Sequence, residues 1–151
     1  MCARLYELTR EDFVSDCYKT QLADLMQESE MSNYPDMIIE PSFGAEEYEK
    51  LKQYMLSDKA RVAVIIDAQT ICSYVWYFIL GNRVHINEIA TFKRYQNRGF
   101  GKKLIEYVTA VSKNNCFSAV QLHVLESNKA ALNLYSKLGF VTEKRLMRKD
   151  V

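Results

Sequence analysis

The chain has 151 residues, 48% of them hydrophobic, and a net charge of +1 at pH 7. This length suits a single domain over residues 1–151, and the hydrophobic fraction excludes a disordered chain. With no run of about 18 apolar residues and no leader pattern at the amino terminus, we expect a cytoplasmic protein that does not act at a membrane.

The first predicted elements are a strand over ARLYEL at 3–8 and a single helix that follows it. Thr9 and Asp12 have the spacing of a capping box at the start of that helix, and apolar residues recur at helical spacing as far as Met26. Both prolines of the chain fall in MSNYPDMIIEPSFG at 31–44, which predicts a loop.

The rest of the chain alternates between helical and strand patterns. The further elements expected are a helix at about 45–57, strands at 60–67, 71–80 and 83–92, a helix at about 99–114 and a strand at 118–125. After these we expect a helix that is capped by Ser127, runs to about Lys137 and is ended by Gly139, and then one bent strand or two short ones in FVTEK and RLMRK. The three middle strands predict an antiparallel meander. The strand–helix–strand unit after it predicts a parallel, right-handed crossover. The fold class is therefore mixed α+β, with a mostly antiparallel mixed sheet and about four helices.

The content of cysteine and histidine and the distribution of charged residues along the chain limit the possible functions further. The four cysteines are scattered without a C-x-x-C pair and there are only two histidines, so no metal site is expected. Between Asp24 and Asp58 there are nine acidic residues and two lysines, whereas residues 91–151 carry twelve Lys and Arg residues and four acidic ones. This segregation indicates two ligand faces of opposite preference, although solvated helix faces would give the same counts.

The segment QNRGFG at 96–101 lies between a strand and a helix, with basic residues around it. Backbone N–H groups at a helix start have no intrahelical partners, and glycine lets an anion approach them. Arg98 and Lys102 add positive charge, so the pattern is suited to a pyrophosphate. The spacing matches neither the Walker loop nor the G-x-G-x-x-G fingerprint, and a plain turn remains the alternative.

Together, Q-x-x-G-x-G at 96–101 and SNKAALNLYSKLGF at 127–140 closely resemble the GNAT superfamily of N-acetyltransferases. The resemblance covers most of the chain, because the order of elements also matches. It implies a GNAT-like sheet with a splayed parallel pair of strands. It also implies acetyl-CoA as the donor, CoA as the product, and direct attack by a primary amine in a ternary complex.

The same resemblance implies roles for individual residues. Backbone amides of the motif would hold the CoA pyrophosphate, and the preceding strand end would pair with the pantetheine arm and polarise the thioester carbonyl through the N–H of Ile89 or Ala90. Tyr135 would protonate the departing thiolate; a purely structural place in the core is its alternative. The implied cofactor-binding residues are Ile89, Ala90, Thr91, Gln96, Asn97, Arg98, Gly99, Phe100, Gly101, Lys102 and Asn128.

The general base is left open by the sequence. Strand alternation places His85 and Asn87 on one face and Glu88 on the other, unless a bulge reverses the order. His85 is the first candidate and Glu88 the second, and the absence of a dedicated base is a third possibility. His123 is interpreted as a packed strand residue.

The acceptor is expected to be a cationic small molecule or a peptide, because the acidic segment coincides with the helices that form the acceptor wall in this family. Glu28 and Glu30 are the expected carboxylate contacts, and Tyr34 and Trp76 are candidate walls. An acidic solubilising surface is the alternative.

Two other functional classes compete with the enzyme. A non-catalytic acyl-CoA-binding module would keep the fold, but the retained Tyr135 disfavours it. A nucleic-acid-binding domain is not expected, because the basic residues cluster at the proposed cofactor site and lack interleaved aromatic residues. The protein is expected to be a monomer or a homodimer; the short segment after Phe140 puts the monomer in doubt, since a second subunit could complete the acceptor cleft.

Overall fold

The computed structural model describes residues 2–151 and contains one five-stranded sheet with helices on both faces. Its elements are β1 (Arg4–Leu8), α1 (Arg10–Val14), α2 (Lys19–Asn33), α3 (Phe43–Leu56), β2 (Arg61–Asp67), β3 (Thr70–Leu80), β4 (Arg83–Thr91), a 3₁₀ turn (Lys93–Tyr95), α4 (Phe100–Asn114), β5 (Ala119–Leu122) and α5 (Lys129–Lys137). The mixed fold class, the meander of β2, β3 and β4 and the parallel crossover to β5 are confirmed.

The strands lie side by side in chain order, β1-β2-β3-β4-β5. Neighbours are antiparallel except β4 and β5, which are parallel. Side chains that alternate along β2 therefore enter two different cores. Val62 and Val64 pack under α1, α2 and α3 in what we call the first core, and Ala63 and Ile65 pack under α4 and α5 in the second core.

The expected first helix is divided in two. The capping box of Thr9 and Asp12 is present at the start of α1, but α1 ends at Val14 and α2 begins at Lys19. Asp16 lies between them with a left-handed φ of 54°. Its carboxylate accepts a hydrogen bond from the buried Tyr48 hydroxyl at 2.8 Å, so a contact with α3 overrides the helical periodicity.

Helices α2 and α3 pack closely enough that only glycine fits at Gly44. A Cβ atom there would lie 2.1 Å from the carbonyl oxygen of Ala23. The Gln27 side chain joins the same two helices, since it accepts from the Gly44 N–H at 2.7 Å and donates to the carbonyl of Glu40 at 3.0 Å. Helices α2 and α3 thus form a closely packed layer over one face of the sheet.

Two expectations for the last third of the chain are wrong. The side chain of Asn128, not Ser127, caps α5 by accepting from the N–H of Ala131 at 3.1 Å. Residues 140–151 form no strand in the described chain. Residues with a high strand propensity do not form a strand unless a neighbouring strand pairs with them. Leu146 and Met147 are accordingly exposed to solvent.

Among residues 2–151, none of the helices combines the length and the apolar character that crossing a lipid bilayer requires.

Candidate functional site

The parallel strands β4 and β5 separate after four paired positions. Their pairing runs from Arg83 and Ala119 to Ile86 and Leu122; residues 88–91 pair with β3 alone, and Asn87 pairs with neither neighbour. One edge of β4 is therefore open over five residues, and its backbone groups on that side are available to a ligand.

A β-bulge lies where the two strands separate. Trp76 pairs with Glu88 and Tyr77 with Ile86, so Asn87 is an extra residue on β4. Ile86 packs in the second core and Ala90 in the first, although simple alternation would place both on one face.

The bulge overturns the expected separation of Glu88 from His85. Glu88 shares the face of Ala90, and His85 lies on the opposite side of β4 from Ile86, with its ring 5.1 Å from that of Phe78 at the edge of the first core. Both candidate bases therefore face the side of the sheet that α2 and α3 cover.

Glu88 belongs to a cluster of three carboxylates, with Glu30 of α2 and Glu47 of α3, that lie within electrostatic reach of one another. The hydroxyl of Tyr74 donates a hydrogen bond to the Glu88 carboxylate. Burial, followed by the charges of Glu30 and Glu47, raises the pKa of Glu88 to about 8. Burial and then Glu47 also raise the pKa of Glu30. A carboxyl group with these properties exchanges a proton near neutral pH.

His85 is buried and is held from the β5 side. Its Nδ1 atom lies 3.0 Å from Nε2 of Gln121, and its ring centroid lies 5.2 Å from that of the exposed His123. Burial, followed by the charge of His123, lowers the pKa of His85. Its imidazole is therefore neutral at physiological pH.

Backbone groups of two residues face the open edge of β4. The N–H of Phe92 donates to the carbonyl of Cys72 on β3 at 3.1 Å, and hydrogen-bonded positions recur at every second residue of an antiparallel strand. Ala90 and Glu88 accordingly point their backbone groups toward β3, whereas Ile89 and Thr91 point theirs to the open edge. Of the two amides expected to polarise a carbonyl, the geometry favours Ile89.

The start of α4 offers backbone N–H donors, because no side chain among residues 2–151 caps this helix. Gly99 precedes the helix with a left-handed φ of 79°, which only glycine adopts without strain, and it offers no side-chain oxygen to the first turn. The exposed Arg98 and Lys102 surround this turn; Arg98 stacks on Tyr95 at 5.3 Å, and Lys102 pairs with Glu106 at 3.8 Å. The site has the charge and the free N–H groups that bind phosphate.

The loop before α4 is fixed to the end of β4. Nε2 of Gln96 donates to the carbonyl of Thr91 at 3.2 Å, and Asn97 turns the chain with a φ of 63°. Phe100 anchors the other end, because its side chain is buried in the second core. At Gly101 a Cβ atom would make only an ordinary contact, 3.6 Å from Leu134 of α5. The protein itself therefore does not require glycine at position 101.

Tyr135 and Asn128 lie at α5. The ring of Tyr135 packs against the second core and lies 5.6 Å from the ring of Phe140, and within residues 2–151 its hydroxyl makes no hydrogen bond. Burial raises the pKa of Tyr135, so the phenol stays protonated. The oxygen of the Asn128 side chain is engaged in the cap of α5.

The four expected acceptor residues do not all meet. Glu30 and Trp76 lie near Glu88, whereas Glu28 accepts a hydrogen bond of 2.6 Å from the backbone N–H of Lys93 and fixes the 3₁₀ turn. Tyr34 is the half-buried residue that ends α2. The ring of Trp76 lies 6.0 Å from Tyr54 and 6.2 Å from Phe78 and forms an aromatic wall.

Three residues of the site were missed at the level of sequence. Glu47 precedes Leu51 by four positions and Met55 by eight, so its place on the apolar stripe of α3 was a readable signal. Tyr74 and Gln121 act through partners on neighbouring strands, and no sequence spacing indicates such pairs.

The chain is similar to acetyltransferases in sequence. Residues 4–140 match the profile of the acetyltransferase (GNAT) family. Thialysine N-epsilon-acetyltransferase of Mus musculus is 38% identical over 69 residues, which are 43% of this chain and 41% of that protein. N-alpha-acetyltransferase 30 of Saccharomyces cerevisiae is 34% identical over 67 residues, 44% of this chain and 38% of that protein. The similarity thus spans about two fifths of the length of these curated relatives.

Solved structures share the whole fold. The PaiA N-acetyltransferase of Thermoplasma acidophilum, crystallised in complex with coenzyme A, has a TM-score of 0.79 and 21% identity, covering 95% of this chain and 92% of that one. At this identity the likeness concerns the fold alone.

Proposed function

We propose that this chain, which belongs to the GNAT family of acetyltransferases, transfers an acetyl group from acetyl-CoA to the primary amine of a cationic small molecule or a peptide. The observation that carries the proposal is the bulge at Asn87. It turns the side chain of Glu88, whose carboxyl has a pKa of about 8, to the face of the sheet that α2 and α3 cover, on the strand segment with the open β4 edge.

The residues present fit acetyl-CoA at two points. The glycine-started first turn of α4 suits a pyrophosphate, and the backbone groups of Ile89 together with the N–H of Thr91 suit an extended amide chain laid along β4. Arg98 and Lys102 would neutralise the phosphates. When bound, acetyl-CoA supplies an acetyl group activated as a thioester.

Three groups of the chain act in the proposed reaction: a proton acceptor, a hydrogen-bond donor and a proton donor. Glu88 takes the proton that the attacking amine loses as the bond from nitrogen to the acetyl carbon forms. The N–H of Ile89 donates to the carbonyl oxygen as its negative charge grows. Tyr135 gives its proton to the sulfur as the carbon–sulfur bond breaks, which its raised pKa permits because the departing thiolate is also basic.

The acidic surroundings of Glu88 support a cationic acceptor. Glu30 and Glu47 lie close enough to raise its pKa, and an ammonium group placed among the three would relieve their repulsion. Trp76 forms an aromatic wall beside them. One relative is named for thialysine and another for an α-amino nitrogen, so the family includes acceptors of both proposed kinds.

A panel of amines tests the proposal with acetyl-CoA and detection of the free thiol. We expect turnover with diamines, lysine-like amines or basic peptide termini, and none with neutral or acidic amines of equal size. A preference for neutral or acidic amines would contradict the assignment of the acceptor. Calorimetric binding of acetyl-CoA without turnover on any amine would favour the non-catalytic module instead, and no binding would contradict both.

A further inference from the structure

A chain of hydrogen bonds connects the segment after α5 with the imidazole of His85. Nη1 of Arg83 lies 2.8 and 3.0 Å from the two carboxylate oxygens of Glu143. The same nitrogen donates to Oε1 of Gln121 at 3.3 Å, and Nε2 of Gln121 lies 3.0 Å from Nδ1 of His85. Glu143, Arg83 and Gln121 therefore act in series on one histidine.

Arg83 decides which way the amide of Gln121 is turned. A guanidinium group donates hydrogen bonds and accepts none, so the amide atom beside it is the oxygen. The amide nitrogen is then the atom that faces His85, and because it only donates, Nδ1 of His85 accepts. A neutral imidazole carries one proton, which consequently lies on Nε2.

We propose that Gln121, oriented by Arg83, is a positioning residue that holds His85 as the Nε2–H tautomer. His85 then offers the acceptor cleft a hydrogen-bond donor instead of a base. The lone pair that a base needs is on Nδ1, where Gln121 already occupies it. Within residues 2–151, Nε2 makes no hydrogen bond, so its proton is available to an oxygen atom of the acceptor. The role of His85 as a hydrogen-bond donor to the acceptor rests on the proposed function. The assignment of its tautomer does not depend on that function.

The tautomer is measurable by ¹⁵N nuclear magnetic resonance of the full chain without an affinity tag. The sequence has two histidines, so a His123→Asn variant leaves one imidazole and assigns the signals. At about pH 8, where an unperturbed histidine is already neutral, we expect Nε2 of His85 to give the protonated type of signal and Nδ1 the unprotonated type. The reverse assignment would overturn the proposal.

Two variants separate positioning from mere packing. Gln121→Glu replaces the donor by a carboxylate, which accepts, so the proton of His85 should move to Nδ1. Arg83→Met removes the group that orients the amide and should give a mixture of both tautomers; Arg83 is partly exposed, so this variant keeps the test available if Gln121→Glu does not fold. An unchanged Nε2–H signal in the folded variants would overturn the proposal. The spectra need neither acetyl-CoA nor an amine, so their outcome is independent of the proposed reaction.

Discussion

The hydroxyl of Tyr74 donates a hydrogen bond to the carboxylate of Glu88 diagonally across β3 and β4, since Tyr74 itself pairs with Ala90 and Glu88 with Trp76. Tyr74 is completely buried in the first core. It holds one oxygen of Glu88, and within residues 2–151 the other oxygen makes no hydrogen bond. The bond also keeps a carboxyl group in a place where burial favours its protonated form.

Replacing Glu88 by Gln should lower kcat about 10²- to 10⁴-fold, the usual contribution of a general base, while the KM for acetyl-CoA stays unchanged. In the native protein, activity should rise as the pH passes through about 8, because Glu88 must be ionised to accept a proton. Steady-state kinetics between about pH 6 and 9.5 measures both effects. Glu49→Gln, at an exposed residue that pairs with Lys19, is the matched control. Full activity of Glu88→Gln would remove Glu88 from the mechanism.

The same substitution should change how stability depends on pH. The pKa of Glu88 rises from 4.5 to about 8 on folding, so its contribution to stability is complete below 4.5 and is lost as the pH rises through about 8. Glu88→Gln does not ionise, so the Tm of this variant relative to that of the native protein should rise between about pH 4.5 and 8 and level off above that. Thermal unfolding followed by circular dichroism checks this, and a constant Tm difference across the range would contradict the burial of Glu88.

Glu30 and Glu28 should behave differently although they are two residues apart. Glu30→Gln removes a charge that raises the pKa of Glu88, so the rise of activity should move to lower pH. Glu28→Gln weakens a hydrogen bond to the N–H of Lys93 and should leave that pH profile in place. Profiles of kcat/KM for the two variants give the comparison. A shift of equal size in both would indicate a general loss of negative charge instead of a specific contact.

Most elements of the fold could be predicted from sequence because each carries its own periodic pattern, whereas the bulge at Asn87 could not. One extra residue leaves the β-branched character of β4 unchanged, and the register with β3 decides where it lies. The face of Glu88 therefore had to come from the structure, and the proposed choice of Glu88 as the base rests on it. The break at Asp16 is similar, since a side-chain contact with Tyr48 fixes it.

The phosphate loop was predictable in position because a glycine-rich, basic helix start is a local signal. The different structural requirements at Gly99 and Gly101 were not predictable. They depend on the backbone angle at Gly99 and on the distance between Gly101 and Leu134. The carboxylate cluster was only partly found, because Glu30 and Glu47 come from different helices and meet through tertiary packing.

Gly99 and Gly101 should respond to alanine in opposite ways. Gly99→Ala forces a side chain into a left-handed conformation and should lower the free energy of unfolding by about 1–2 kcal/mol. At position 101 a Cβ atom fits the fold, so Gly101→Ala should unfold like the native protein but bind acetyl-CoA more weakly, because the methyl group would face the phosphates. Denaturant unfolding and calorimetry, run on both variants, test the pair. Normal affinity of Gly101→Ala would contradict the pyrophosphate site.

Tyr135→Phe should separate the chemistry of the hydroxyl from the packing of the ring. The ring contacts Phe140 and the second core, and phenylalanine keeps those contacts, so Tm and the affinity for acetyl-CoA should not change. The hydroxyl makes no hydrogen bond within residues 2–151, and its loss should lower kcat about 10²-fold through slower protonation of the sulfur. Tyr107→Phe is the control, because that hydroxyl also lies at the second core but donates to Glu7 at 2.7 Å, away from α5. Formation of CoA at an equal rate by Tyr135→Phe and the native protein would assign Tyr135 to packing alone.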